Sequence, residues 1–210
     1  MLQILASEYS SLTAMRSQGQ AEAASRAGMF VAALSGGIVA VSFIAQATRF
    51  GPESVAFALL ILPVVLFIGL TTFVRTLDIS ADEVRWVSAL NHVRSGYITV
   101  EPLAKRYLTL HREDQAAAIL ATMNPGRTMS SLYGIVTTPG LVSVINSILA
   151  GSVAGLITSV VAPEIGVPVI AFVGTAAFVL VLTLQAVYGG GVFGRAMREV
   201  ASNLDARPSS

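Results

Sequence analysis

The sequence predicts an all-α integral membrane protein: four transmembrane helices in two hairpins, plus a small cytoplasmic helical subdomain. Three observations carry that expectation. Only 12% of the 210 residues are charged, where a soluble domain carries about 25%. Four stretches are long and contain no Asp, Glu, Lys, Arg or His. The basic residues fall almost entirely in segments that share one side of a four-span topology.

Residues 1–26 read as a cytoplasmic helix that leads into the first span. Leu2, Leu5, Tyr9 and Leu12 have the spacing of an apolar stripe, which needs a partner: another cytoplasmic helix or a second subunit. Residues 27–75 form the first transmembrane hairpin. A hydrocarbon core about 30 Å thick takes about 20 helical residues at about 1.5 Å each, and 27–48 and 54–74 are both long enough. Ala45-Gln46-Ala47 resembles a signal-peptidase site, but the apolar run is too long for a signal peptide. Its leader is also too long and not basic at its start.

Residues 76–131 form a cytoplasmic helical segment. Ser80 followed by Glu83 predicts a capping box and hence a helix start. Trp86, Leu90, Val93 and Tyr97 then make an apolar stripe that ends near Gly96, with Arg85, Asn91 and Arg94 pointing elsewhere. The stripe is either packing within a small bundle or a face for a cytoplasmic protein partner. A short helix is expected from Pro102, and another over 112–126, where acids open the segment and Asn-Pro-Gly closes it.

Residues 132–188 form the second hairpin. Pro139-Gly140 marks the start of a span over about 140–161, and the glycines at 189–191 are expected to end the fourth span near Tyr188. The tail, 189–210, carries Phe193, Met197, Val200 and Leu204 at helical spacing. It reads either as an interfacial helix with Arg195 and Arg198 near anionic headgroups or as a helix docked on the cytoplasmic bundle. The last four residues, RPSS, are expected to be disordered.

Twelve of the thirteen basic residues lie before the first span, between the second and third, or in the tail; only Arg49 lies opposite. That asymmetry predicts a bacterial inner-membrane protein with cytoplasmic termini. The turns RFGPES and APEIGV leave no room for an external domain.

Two ridges of small residues run along these helices. Ser143, Ser147, Gly151, Gly155 and Ser159 recur at every fourth position of span three, and Ala32, Gly36 and Ala40 do so in span one. Lipid tails already satisfy apolar surface, so membrane helices associate by close packing, and small residues permit it. These ridges are the expected helix-packing sites, with right-handed crossings near about −40°. An offset of 111 residues superposes Pro52-Glu53 on Pro163-Glu164 and one ridge on the other. A parallel duplication and the ordinary abundance of Pro and small residues at such places both account for this.

The chemistry the sequence offers is sparse. There is no cysteine, no phosphate-binding glycine loop, and no nucleophile–base pair. His92 and His111, with Glu113 and Asp114, are too few for a metal site. No cofactor, catalytic residue, metal or nucleic-acid partner is expected, and the net charge of +1 attracts none. Spans without ionisable residues argue against a pump. Asn146 is the most polar side chain deep in a span; it and Thr158 are the candidate pore-lining residues, with interhelical hydrogen bonding the alternative role.

The stretch SEYSSLTAMRSQGQAEAASRAGMFVAALSGGIVAV, residues 7–41, resembles the start of SLATT-type bacterial membrane domains, and the likeness extends over about the first 95 residues. That resemblance implies an oligomeric membrane effector that permeabilises the bilayer when a conflict system triggers it. The chain departs from the family pattern in having four spans, few basic residues before span one, and no recognisable sensor domain. Taken whole, it is similar to uncharacterised four-span bacterial inner-membrane proteins, a likeness that implies no function. The expectation is therefore a homo-oligomer in the lipid bilayer: an ion-conducting pore or effector gated from its cytoplasmic helices, or a non-conducting adaptor that recruits a cytoplasmic protein.

Overall fold

A computed structural model of the chain describes residues 1–108 and 137–205, with side chains through 202. Among these, four α-helices account for nearly all of the backbone: α1 (Leu2–Ala47), α2 (Pro52–Val100), α3 (Thr138–Val161) and α4 (Val167–Asp205). A 3₁₀ turn at Pro102–Arg106 follows α2, and no strand occurs among the described residues. Each α-helix contains a window long and apolar enough to cross a membrane. The helix expected over 112–126, His111 with its acidic neighbours, and RPSS lie outside the described residues.

The helices are longer than the sequence predicts. Span one and the N-terminal helix are one element, and the helix does not restart at Ser80. The capping-box expectation fails there because the backbone is already helical; Glu83 instead accepts hydrogen bonds from Arg16 and Gln20 of α1. Gly96 does not stop α2, which runs on to Val100. The glycines at 189–191 do not end α4 either. Glycine weakens a helix interior by roughly 1 kcal/mol but raises no clash, so a well-packed helix continues through it. The start of α3 agrees with the expectation. Thr137 caps it by accepting from the Gly140 N–H at 3.3 Å, with Pro139 in the first turn.

The end of α1 is less ordinary. Phe50 N–H bonds to the Ala45 carbonyl at 2.7 Å and Arg49 N–H to that of Gln46 at 3.2 Å, the pairing of a Schellman motif. Its left-handed position is filled by Arg49, φ 52°, and not by glycine.

The chain divides into two units. One contains the described residues of Met1–Glu22, Leu77–Ser130 and Gly190–Ser210. Its core has two clusters. Leu12, Leu90 and Val93 pack with Leu5, Tyr9, Ala89 and Tyr97. Ala81, Val84, Val87, Ala196 and Val200 pack with Val192, Phe193 and Met197. The stripe of the N-terminal segment thus finds its partner in α2. The tail's apolar face packs against α2 as well, through Ala196 and Val200. Around these clusters run polar contacts: Arg16–Glu83 at 2.8 Å, Arg85–Glu199 and Arg85–Asp82 at 2.7 Å each, and Arg94 to the Tyr9 hydroxyl at 3.3 Å. The hydrogen bond that Arg85 donates to Glu199, then the one it donates to Asp82, raises the guanidinium pKa above its ordinary value.

The other unit contains Ala23–Thr76 and the described residues of Ser131–Gly189. Its composition is inverted relative to a water-soluble bundle. Phe43, Phe67 and Phe172 are each about 70% exposed, while Thr72, Thr76, Ser143, Asn146, Ser147 and Gln185 are buried. None of the most apolar window of α4 is buried within the chain. The hydroxyls of Ser42, Ser147, Ser152, Thr158 and Thr183 each donate to the carbonyl four residues back in their own helix.

Candidate functional site

Within the apolar unit, four helices bring one side chain or backbone position each to a common point: Phe30 of α1, Gly69 of α2, Asn146 of α3 and Gln185 of α4. Asn146 lies in the third turn of α3, on the face that also buries Ser143 and Ser147. Its Nδ2 donates to Gln185 Oε1 at 3.4 Å, a long bond. Asn146 Oδ1 and Gln185 Nε2 have no hydrogen-bond partner. Turning both amides over would exchange the roles and leave the same surplus, one donor and one acceptor. A buried amide group without a partner costs about 1–3 kcal/mol.

Gly69 makes this arrangement possible. A Cβ there would overlap Asn146 Oδ1 and approach the Phe30 ring edge to 2.7 Å. Only glycine lets α2 come this close to the amide. The pair has no titratable group, so its chemistry is hydrogen bonding: the spare acceptor and donor can bind water or a polar solute, and cannot relay a proton by ionising.

The other expected sites divide. Ser143, Ser147 and Gly151 of the α3 ridge are buried; Gly155 and Ser159 are half-buried. A Cβ on Gly151 would lie 2.7 Å from the Gly174 carbonyl oxygen, and one on Gly174 would lie 3.0 Å from that of Gly151. So α3 and α4 touch through paired glycines. In α1 the ridge lies one residue away from the expected one. Gly37 is buried, with its Cβ position 3.3 Å from Ile61 and Val65, whereas Ala32 and Gly36 are exposed and Ala40 is half-buried. Thr158 bonds its own helix at Ala154 and lies twelve residues from Asn146, about 18 Å along the axis. The structure does not bring these two together.

The stripe offered for a partner is used within the chain. Leu90 and Val93 are buried against Leu12, Tyr97 joins the same cluster, and the half-buried Trp86 ring covers Gly19 at 2.6 Å from its Cβ position. Asn91, expected to point away from the stripe, is buried, and its Nδ2 has no partner.

Comparison with family models, with curated proteins and with solved structures found no match. Among the described residues no group of three or more His, Cys, Asp or Glu could hold a metal, and His92 is exposed. Gly69 and Gly174 escaped the sequence reading. The available signal was an isolated glycine within an apolar helical run, which commonly marks a close approach.

Proposed function

We propose that the chain is a multi-pass protein of a bacterial inner membrane, with its termini and the 76–131 segment cytoplasmic. In this reading it assembles as a homo-oligomer and opens a polar path through the bilayer. Support for the membrane comes from the exposed faces: large apolar side chains point away from the chain on helices long enough to span. The charge asymmetry supports the orientation. Gly28, Ala32 and Gly36, four residues apart and exposed, support assembly, and a Cβ on either glycine would meet nothing within 4 Å. The α3 ridge and Gly37 of α1 serve packing inside the chain; the exposed face of Gly28, Ala32 and Gly36 is left for another copy.

The observation that carries the pore reading is the surplus donor and acceptor of Asn146 and Gln185. Buried amides stay unmatched at a cost, and water or a permeating solute would satisfy both atoms. The reading takes the present arrangement, with Gly69 and Phe30 against the amide, as the closed state. α1, α2 and α4 each supply residues to both units, which gives the cytoplasmic unit a covalent route to the spans. The adaptor reading loses its proposed docking stripe, because α1 residues cover it.

Liposome flux tests the proposal. Purified protein inserted in sealed vesicles is expected to release a trapped ion, and Asn146→Leu to reduce that release about tenfold while the oligomer persists. Vesicles that stay tight with verified inserted protein, with and without truncation of the cytoplasmic tail, would overturn the pore. A monomer in mild detergent that Gly36→Leu leaves unchanged would overturn the assembly.

A further inference from the structure

The glycines of α4 raise a separate question: why should an unbroken helix carry Gly190, Gly191 and Gly194 and then two exposed arginines? Cβ atoms on Gly190 and Gly194 would meet nothing within 4 Å, so these glycines make no close approach that requires them. What they leave is a strip of bare backbone, and the arginines lie back over it. Arg195 Nε donates to the Gly191 carbonyl at 3.3 Å, and Arg198 Nε to the Gly194 carbonyl at 3.1 Å. Side chains in a helix point toward the preceding turn, and the absent side chains at 191 and 194 give them room there.

Binding through Nε fixes each guanidinium and leaves its Nη atoms for another group. The carboxylate that helical spacing would offer Arg195 is Glu199, one turn further on. That carboxylate is already engaged: Arg85 donates to Glu199 Oε2 through Nη2 at 2.7 Å and through Nε at 3.1 Å. Among the described residues neither Arg195 nor Arg198 forms an ion pair. Two oriented guanidinium groups three residues apart thus share one helix face with no ion-pair partner among the described residues. Guanidinium forks match the oxygens of a phosphate.

We propose that Arg195 and Arg198, held over the bare backbone of α4, bind the phosphate of an anionic phospholipid headgroup. The inference rests on the membrane reading above. A lipid is favoured over free phosphate because the same helix turns from an apolar run ending in Tyr188 to both arginines within ten residues. That is the order in which acyl chain, interface and headgroup follow one another.

The full chain, inserted in phosphatidylcholine vesicles, would be titrated with spin-labelled phosphatidylglycerol and spin-labelled phosphatidylcholine. Wild type is expected to prefer the anionic lipid, on the order of tenfold, as two basic groups near a headgroup allow. Arg195→Gln with Arg198→Gln should remove that preference, and the double Lys variant should keep part of it. Emission of Trp86, the single tryptophan, reports that the variants remain folded. Equal association of the two lipids with wild type, or an unchanged preference in the Gln variant, would overturn the proposal. So would displacement of the anionic lipid by millimolar inorganic phosphate, which would assign the site to a soluble ligand. Failure to float with vesicles of either composition would instead overturn the membrane reading itself.

Discussion

Gly151→Ala in α3 asks whether shape alone holds the apolar unit together. The new methyl would sit 2.7 Å from the Gly174 carbonyl oxygen and 3.3 Å from Phe178 Cβ. A carbonyl of a helix backbone cannot rotate away, so α3 and α4 must separate by several tenths of an ångström. Overpacking of this kind costs about 1–3 kcal/mol. Alanine is also the better helix former by roughly 1 kcal/mol, which opposes that loss. Gly36→Ala carries the same propensity gain with nothing within 4 Å to strike. The difference between the two variants therefore isolates the collision, and 1–3 kcal/mol corresponds to about five- to 150-fold in an unfolding constant. Reversible unfolding in mixed micelles, at dilutions where the chain is monomeric, measures it. Unfolding constants within twofold of each other would refute the close approach of α3 and α4.

Three further outcomes are expected. Gly69→Ala should destabilise by about 1–3 kcal/mol through collision with Asn146 and Phe30, and Asn146→Ala in the same chain should restore part of the loss; strictly additive losses would show that the two residues do not meet. A double-mutant cycle of Asn146→Leu and Gln185→Leu should give a coupling near 0.6 kcal/mol, as is usual for hydrogen bonds between membrane helices; zero coupling would dissolve the pair. Gly19→Ala should push the Trp86 indole outward, so that its emission shifts to the red and becomes easier to quench; an unaltered spectrum would place the ring elsewhere.

Much of this architecture was legible in the residues. Uncharged runs of the right length located all four apolar helices, and Pro139-Gly140 marked the start of α3 because proline in a first turn is local chemistry. Helix ends that depend on packing were not legible. The glycines at 189–191 read as a stop, yet α4 continues into residues whose apolar face is covered by Ala81, Val84 and Val87. Ser80 and Glu83 fit a cap, but a carboxylate can also serve Arg16 across to another helix, and nothing in the spacing distinguishes the two. At the candidate site Asn146 stood out as a polar residue in a span, while the residues it would meet were not legible. Gly69 and Gln185 join it from α2 and α4, and a one-dimensional pattern does not encode which turns of separate helices meet. The shift from Gly36 to Gly37 has the same origin: a period of four fits several neighbouring ridges, and only packing selects one.

The serine and threonine hydroxyls of the apolar helices carry one more implication. Because Ser42, Ser147, Ser152, Thr158 and Thr183 each close a ring with their own backbone, none of them acts as a latch toward a neighbouring helix. Where two copies meet along faces whose polar groups are only such hydroxyls, they can be traded without breaking a directional bond. Copies assembled as proposed would thus swap subunits readily, and differently tagged populations mixed in one bilayer would be recovered as hybrids.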